Sequence, residues 1–274
     1  MHLSFLLSYL RKFPFDQGKS RMARWQKKYP ENPVLFTDNL GHRFELNTSE
    51  YVMRQLWLYG AYEKNTIRHL LKLLPDHAVC ADVGANIGYY SLTLGGHVKN
   101  GKVFAFEPNP VTFGIFTRNL SLNPGIKTVE PIQKGLAEKR KNITLSFNQH
   151  NLGAASAFGN NEETATVEIT TLDDFCREKN ISRIDLVKVD IEGGELNFLK
   201  GAEEIISKSP KMILVTEIID SHCRRAGYTA KELFDYITSL GFKPFLPKAW
   251  PFSLKKTNQL PENYFDNIIF LKGY

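Results

Sequence analysis

AVCADVGANIGYYSLTLGG, residues 78–96, is the stretch on which the fold turns. AVCADV is an apolar run of strand length. YYSLTLGG is a run of helical character. Between them lies the turn DVGANIG, residues 82–88. Gly84 allows the tight turn, and Gly88 lets the following helix come close to the sheet. A dinucleotide site places a third glycine between these two, so that backbone reaches a pyrophosphate. Here that position is Asn86, which leaves less room for phosphate and suits a ligand without one. Asp82 adds a carboxylate at the strand end, which repels phosphate and attracts a sulfonium or ammonium.

Outward from this unit the pattern alternates. The strand KVFAFE follows, then a helix over 110–122, the strand TVEPIQ, and a hairpin-like pair at 143–147 and 165–170. A helix from Leu172 to about Lys179, the strand IDLVKVDI, a helix over 194–207, the strand KMILVTEI and a helix over 229–240 come next. The chain ends on the short strands FKPFL and FDNIIFLK. Strands alternating with helices imply βαβ units and a mostly parallel, doubly wound α/β sheet. The central strands are apolar without strict alternation, as expected when helices cover both faces. Upstream, residues 3–28 look helical with a break near Phe13–Pro14, residues 33–47 form a hairpin, and 49–59 and 63–74 form two helices. The expected division is an extension over residues 1–48 and one domain over 49–274.

The 274 residues are 42% hydrophobic and 23% charged, which fits one folded α/β domain with an extension. The net charge of +6 is concentrated in residues 1–28, where Arg11, Lys12, Lys19, Arg21, Arg24, Lys27 and Lys28 face one acid, Asp16. The body is close to neutral, so it does not look like a nucleic-acid binder. The basic segment is suited to an anionic membrane surface or an acidic partner, and a solvated helix face is the simpler alternative. The run LSFLLSYL is too short to span a bilayer and lacks the features of a signal peptide. Cys80, Cys176 and Cys223 form no paired framework. A reducing, cytoplasmic setting is expected, with membrane contact limited to residues 1–28.

Candidate chemistry gathers at strand ends, where open α/β sheets bind ligands. Glu107 closes the strand after the glycine turn, where a carboxylate can accept both hydroxyls of a ribose. DLVKVDIEGGE, residues 185–195, brings Lys188, Asp190, Glu192 and Glu195 to the end of an apolar strand. Glu192 and Glu195 also fit as first-turn acids favoured by the helix dipole. Glu217 ends VTEI, with Asp220 and His222 beyond. His222 is either a general base or metal ligand or a surface histidine without a chemical role. Asp190 is the first candidate for the base, then Glu192 and His222, with Lys188 orienting them. An oxygen-rich Mg²⁺ site from Asp190, Glu217 and His222 is a further, weaker expectation.

These blocks resemble the FkbM-type methyltransferases. The similarity runs over roughly residues 41–271. It rests on GHRFEL, WLYGAYE (57–63), DVGANIGYYSL (82–92), FEPNP (106–110), GLAE (135–138), TTLDDF (170–175), DLVKVDIEGGE and NIIFL (267–271), in that order. The resemblance implies a Rossmann-like fold of seven strands with the last antiparallel. It also implies methyl transfer from S-adenosylmethionine to an oxygen, typically a hydroxyl of a sugar, glycolipid or natural product. By the same resemblance, Asp82, Gly84, Asn86 and Gly88 surround the methionine and ribose portions, and Ala85 belongs to the same cofactor-binding turn. Glu107 holds the ribose hydroxyls, Asn109 borders the adenosine, Gly135 and Leu136 lie beside the adenine, and Pro108 belongs to the same cofactor set. Asp190 and Glu192 face methyl transfer. The family's usual alanine before position 136 is Gly135 here, and residues 1–32 have no clear counterpart.

Three other readings compete. A nicotinamide-dependent oxidoreductase calls for glycine at position 86 and a second domain. A nucleic-acid methyltransferase calls for an Asn/Asp-Pro-Pro-aromatic run where Asp190-Ile191-Glu192-Gly193 stands, and clustered acids there repel phosphates. A non-catalytic module would keep the fold without the activity. The acceptor itself is a small molecule or glycan that the sequence does not specify. Segments 29–63, 148–163, 220–228 and 247–264 are expected to shape its pocket, with Trp57, Tyr59, Tyr62, Trp250 and Phe252 either facing it or lying in the core.

Overall fold

The computed structural model describes residues 33–148, 151–156, 163–249, 251–261 and 267–274, with Leu7, Leu10, Arg11 and Tyr29. The expected helix over 3–28 therefore lies almost wholly outside the described residues. Its membrane contact lies outside them too. The hairpin is β1 (Val34–Thr37) and β2 (Arg43–Leu46), followed by α1 (Tyr51–Tyr59) and α2 (Lys64–Leu73). The central alternation is β3 (Val79–Val83), α3 (Tyr89–His97), β4 (Lys102–Phe106), α4 (Pro110–Ser121) and β5 (Val129–Ile132). Then come β6 (Gly135–Leu136), β7 (Lys141–Asn148), β8 (Asn151–Ser156), β9 (Glu163–Thr170), α5 (Leu172–Glu178) and β10 (Leu186–Val189). The chain continues through α6 (Glu195–Lys200), α7 (Glu203–Lys208), β11 (Met212–Glu217), α8 (Asp220–Arg225) and α9 (Ala230–Ser239). It closes with β12 (Lys243–Lys248), β13 (Ser253–Lys256) and β14 (Asn267–Lys272).

The main sheet has the order β13-β12-β14-β11-β10-β3-β4-β5. β11, β10, β3, β4 and β5 run parallel as neighbours, and β14 lies antiparallel between β11 and β12. The seven-stranded arrangement with an antiparallel last strand is present. β13 adds an eighth strand at the edge, paired to β12. Neighbouring residues of one strand enter opposite cores. Cys80, Leu186, Ile213 and Ile269 face the core under α1–α4 and the hairpin. Ala81, Val187, Leu214 and Phe270 face the core under α5, α6, α7 and α9. This period of two, apolar on both sides, is why the strands show no alternation in sequence.

The order of the sheet reverses at β3, where β4 goes to one side and β10 to the other. The carboxyl ends of these strands open a crevice at that point. A second sheet, β6-β9-β7-β8, stands over it. β7 and β9 are the expected pair, and β8 is an additional strand. The expected helix over 194–207 is two helices. A Cβ on Gly201 would lie 2.1 Å from the Ala137 carbonyl oxygen, so the chain passes that point with no side chain. α7 then restarts where Asp173 accepts from the Glu204 and Ile205 amides.

Candidate active site

The crevice is a cavity of about 840 Å³. Asp82, Gly84, Ala85, Asn86, Glu107, Pro108, Gly135 and Leu136 line it, and so do Lys188, Asp190, Glu192 and His222. The sequence therefore placed both sets of candidates on one cavity. Gly88 and Asn109 are not part of its wall. Gly88 sits behind the turn, where a Cβ would meet the Phe116 ring at 2.2 Å. Asn109 is fully buried and caps α4, its side chain accepting from Val111 N at 3.0 Å.

The glycine turn hangs on the end of β4. Gly84 N and Ala85 N both donate to the Phe106 carbonyl, at 3.0 and 2.9 Å. Gly84 has φ +81°, and a Cβ there would lie 2.0 Å from the Asp190 carbonyl oxygen. Only glycine permits this approach between the β3 and β10 strand ends. Asn86 adopts a left-handed φ of 50°, which asparagine tolerates better than other side chains. Glu107 follows β4 directly and is held on both oxygens. Oε2 accepts from Asn86 N and Oε1 from Asn109 N, each at 2.9 Å. Burial pushes Glu107 up to about 7, with the Asn109 and Asn86 amides pulling the other way. Asp82 is buried and accepts from Ser91 Oγ at 2.5 Å. Burial moves Asp82 up to about 6, opposed by the Ser91 hydroxyl and the Lys188 charge.

Two buried polar atoms in this region lack a partner among the described residues, Asn86 Oδ1 and Asn109 Nδ2. Buried polar groups are rarely left so. Asn86 lines the cavity, but its Oδ1 is turned away from solvent.

On the far side of the turn lies a charged cluster. Lys188 is buried, with Nζ 3.2 Å from Asp190 Oδ2 and 5.1 Å from the centre of the Tyr90 ring. Burial works against its charge, but the carboxylates of Asp190, Glu63 and Asp82 overcome that and raise its pKa. Glu63, at the α1–α2 elbow, accepts from the Tyr90 hydroxyl and from Asn267 Nδ2. Glu217 lines the same cavity from the end of β11, opposite Asn267 in β14. Glu192 has φ 55°, and its Oε2 lies 3.2 Å from His222 Nδ1 and 3.8 Å from Arg225. Burial, then the Asp190 charge, pushes Glu192 up to about 7. Burial, then Arg225, lowers His222.

No group of three or more His, Cys, Asp or Glu side chains among the described residues is placed to hold a metal ion. The Mg²⁺ site expected from Asp190, Glu217 and His222 does not form. The Lys188 ammonium already supplies the cation against Asp190, and His222 turns to Glu192. The aromatic expectations also divide. Tyr62 and Tyr51 line the cavity. Trp57 is buried in the core, with Tyr59 packed against it. Phe252 stacks on His69 at 3.9 Å, away from the cavity. Trp250 lies outside the described residues, and those described between 247 and 261 do not line the cavity. Glu63, Tyr90 and Asn267 escaped the sequence reading, although WLYGAYE and NIIFL contain two of them.

A family model described as the methyltransferase FkbM domain matches residues 82–244. The chain belongs to the FkbM methyltransferase family. The match begins at Asp82 in the glycine turn and ends in β12, so it contains both halves of the cavity floor. Among similar proteins, the methyltransferase sdnD of Sordaria araneosa is 32% identical over 162 residues, covering 48% of this chain and 62% of that one. The hexuronic acid methyltransferase AglP of Haloferax volcanii is 34% identical over 160 residues, covering 58% of this chain and 63% of that one. The 2-O-methyltransferase NoeI of Sinorhizobium fredii is 26% identical over 84 residues, 31% of this chain and 34% of that one. The chain thus spans less than two thirds of the length of each. The solved structure of a methyltransferase FkbM from Methylobacillus flagellatus aligns over 80% of this chain and 52% of its own, with TM-score 0.49 and 18% identity. No helix among the described residues is long and apolar enough to cross a membrane.

Proposed function

We propose that this protein transfers the methyl group of S-adenosylmethionine to a hydroxyl of a sugar, glycolipid or natural product. The observation that carries the reading is Glu107. Its carboxylate is fixed by the Asn86 and Asn109 amides at the strand end beside the glycine turn, on the wall of a cavity that continues to the Lys188–Asp190 pair. Each carboxylate oxygen has a further lone pair, so the group can accept two neighbouring ribose hydroxyls.

The donor fits the residues present. Glu107 would hold the ribose, Asn86 would border it, and the apolar wall of Pro108, Leu136 and Ile169 would receive the adenine. Asp82 and Asp190 make this end of the turn hostile to a pyrophosphate and friendly to a positive charge. When bound, the donor supplies a carbon already activated for displacement. The chain's own task is alignment, which can contribute about 7–11 kcal/mol, and handling of the acceptor's proton. Tyr62 and Tyr51 give the acceptor end aromatic faces of the kind that receive sugar rings. The name of AglP, a hexuronic acid methyltransferase, supports a sugar acceptor, and that of NoeI, a 2-O-methyltransferase, supports transfer to oxygen.

Calorimetry with S-adenosylmethionine, its demethylated product and NAD tests the donor. Binding of the first two alone is expected, weakened at least about tenfold by Glu107→Ala, a loss of roughly 1.4 kcal/mol. Absence of binding by either compound refutes the reading. Transfer of a labelled methyl group into glycan and lipid extracts, followed by mass spectrometry, identifies the acceptor.

A further inference from the structure

Methyl transfer to a hydroxyl leaves one proton to be taken up, and the cavity offers several carboxylates for it. Most already have partners. Asp82 receives the Ser91 hydroxyl, and Glu107 receives two amides. Glu63 receives Tyr90 and Asn267, and Asp190 is paired with Lys188. Glu192 meets His222 and Arg225. Glu217 differs. It lines the cavity at the end of β11, and among the described residues its carboxyl group makes no hydrogen bond and no ion pair.

Resting on the methyl-transfer reading above, we propose that Glu217, rather than Asp190, is the base that takes the acceptor's proton. The acceptor oxygen forms its bond to the methyl carbon as the carbon–sulfur bond breaks. The bonding pair goes to sulfur, which loses its positive charge, and the hydroxyl proton passes to the Glu217 carboxylate. Asp190 and Lys188 then act as a positioning pair that holds the local charge in place.

The surroundings suit this role. Lys188 faces Glu217 from β10, Asp190 and Glu192 from the β10–α6 turn, and Glu63 and Tyr62 from the α1–α2 elbow. Burial, followed by the like charges of Asp190 and Glu63, pushes Glu217 up to about 8, with Lys188 opposing. A base that titrates near working pH is matched to its task. Because Glu217 acts when ionised, turnover at saturating donor rises with pH. The gain from pH 7 to the plateau above 8 is roughly tenfold.

The test compares wild type, Glu217→Gln, Glu217→Asp and Asp190→Asn. Carboxyl-¹³C glutamate labelling gives a readout independent of activity. The resonance missing in Glu217→Gln belongs to Glu217, and in wild type it is expected to titrate near pH 8. Titration below pH 6 overturns the proposal. Calorimetry is expected to give Glu217→Gln a donor affinity within about threefold of wild type, which shows the cradle intact. With the labelled donor and the extract acceptors, Glu217→Gln is expected to lose about 10²-fold or more in turnover. Glu217→Asp retains part of the rate and the rise with pH. Activity of Glu217→Gln within tenfold of wild type overturns the proposal. A wild type that binds the donor but methylates nothing in the extracts refutes the acceptor class instead, and the carboxyl titration then decides Glu217 by itself.

Discussion

Replacing Lys188 by methionine removes the cation around which the carboxylates of Asp190, Glu63 and Asp82 gather. The lysine side chain is 3% exposed, and its ammonium faces Asp190 at 3.2 Å. Breaking a buried ion pair from one side costs about 3–5 kcal/mol. Asp190 is 36% exposed, so it regains hydration when its partner leaves. The loss should therefore sit at the low end of that range, about 3 kcal/mol. For a chain of this size that is a fall of roughly 6–12 °C in melting temperature. The deficit should grow with pH. Glu217 and Glu192 have folded-state values raised to about 8 and about 7. A raised carboxyl favours the fold while it stays protonated, and this advantage is lost as pH rises from the unfolded value through the folded one. At pH 6 both groups hold their protons and the missing cation is felt least. At pH 9 they are ionised, Glu217 beside Asp190 and Glu63 without the Lys188 charge that opposed it, and Glu192 with Arg225 still at its side. Urea melts of wild type and Lys188→Met at pH 6 and pH 9 measure the effect. A variant that melts within 2 °C of wild type at pH 9, or whose deficit shrinks as pH rises, refutes the reasoning.

Donor affinity should itself depend on pH through Glu107, raised to about 7 by burial. Ribose hydroxyls donate to the ionised form, so affinity should increase as pH rises through 7 and level off above it, and a flat calorimetric profile between pH 6 and 8 excludes this role. Gly84→Ala forces a Cβ to 2.0 Å from the Asp190 carbonyl at φ +81°, and is expected to cost about 1–3 kcal/mol of strain and to abolish donor binding. Unchanged calorimetry for that variant contradicts the close approach. Asn119 accepts from Glu45 N and donates to the Ile87 carbonyl, joining the hairpin to the glycine turn. Asn119→Ala leaves both backbone groups unmatched, so hydrogen exchange should quicken at Glu45 and stability should fall by about 1–3 kcal/mol.

The parts of this fold that sequence reveals are those encoded by neighbours along the chain. DVGANIG announces itself because two glycines, a strand before and a helix after lie within a few residues of one another. The break at Gly201 was hidden because its cause is the Ala137 carbonyl, far away in sequence. β13 and β8 were missed for a related reason: both are short strands added by local pairing to a neighbour, with little apolar pattern of their own. At the site, the strand-end acids were legible because open sheets direct such residues into the crevice. Glu63 was not. It adopts a left-handed φ of 45°, a conformation that its residue type does not advertise, and its partner Asn267 is 204 residues away. Aromatic residues were the least informative. Tyr62 and Trp57 lie in the same block, yet one lines the cavity and the other fills the core.

That long-range contact also explains how the two ends of the described chain serve one site. Residues 82–244, the part matched by the family model, supply the glycine turn, Glu107, the Lys188–Asp190 pair and Glu217 to the cavity. They leave the cavity open on the side of the α1–α2 elbow. Glu63 closes it from before the match and Asn267 from after it, meeting on one carboxylate oxygen together with the Tyr90 hydroxyl. A left-handed glutamate costs about 1–2 kcal/mol. Hydrogen bonds to an ionised acceptor are roughly twice as strong as neutral ones. Two of them, with the Lys188 charge nearby, offset that strain. The elbow carrying Tyr62 is thereby fixed to the β14 strand end that faces Glu217. The elbow and the strand that carries the proposed base are held in one fixed relation, the condition that an in-line transfer between two bound reactants imposes.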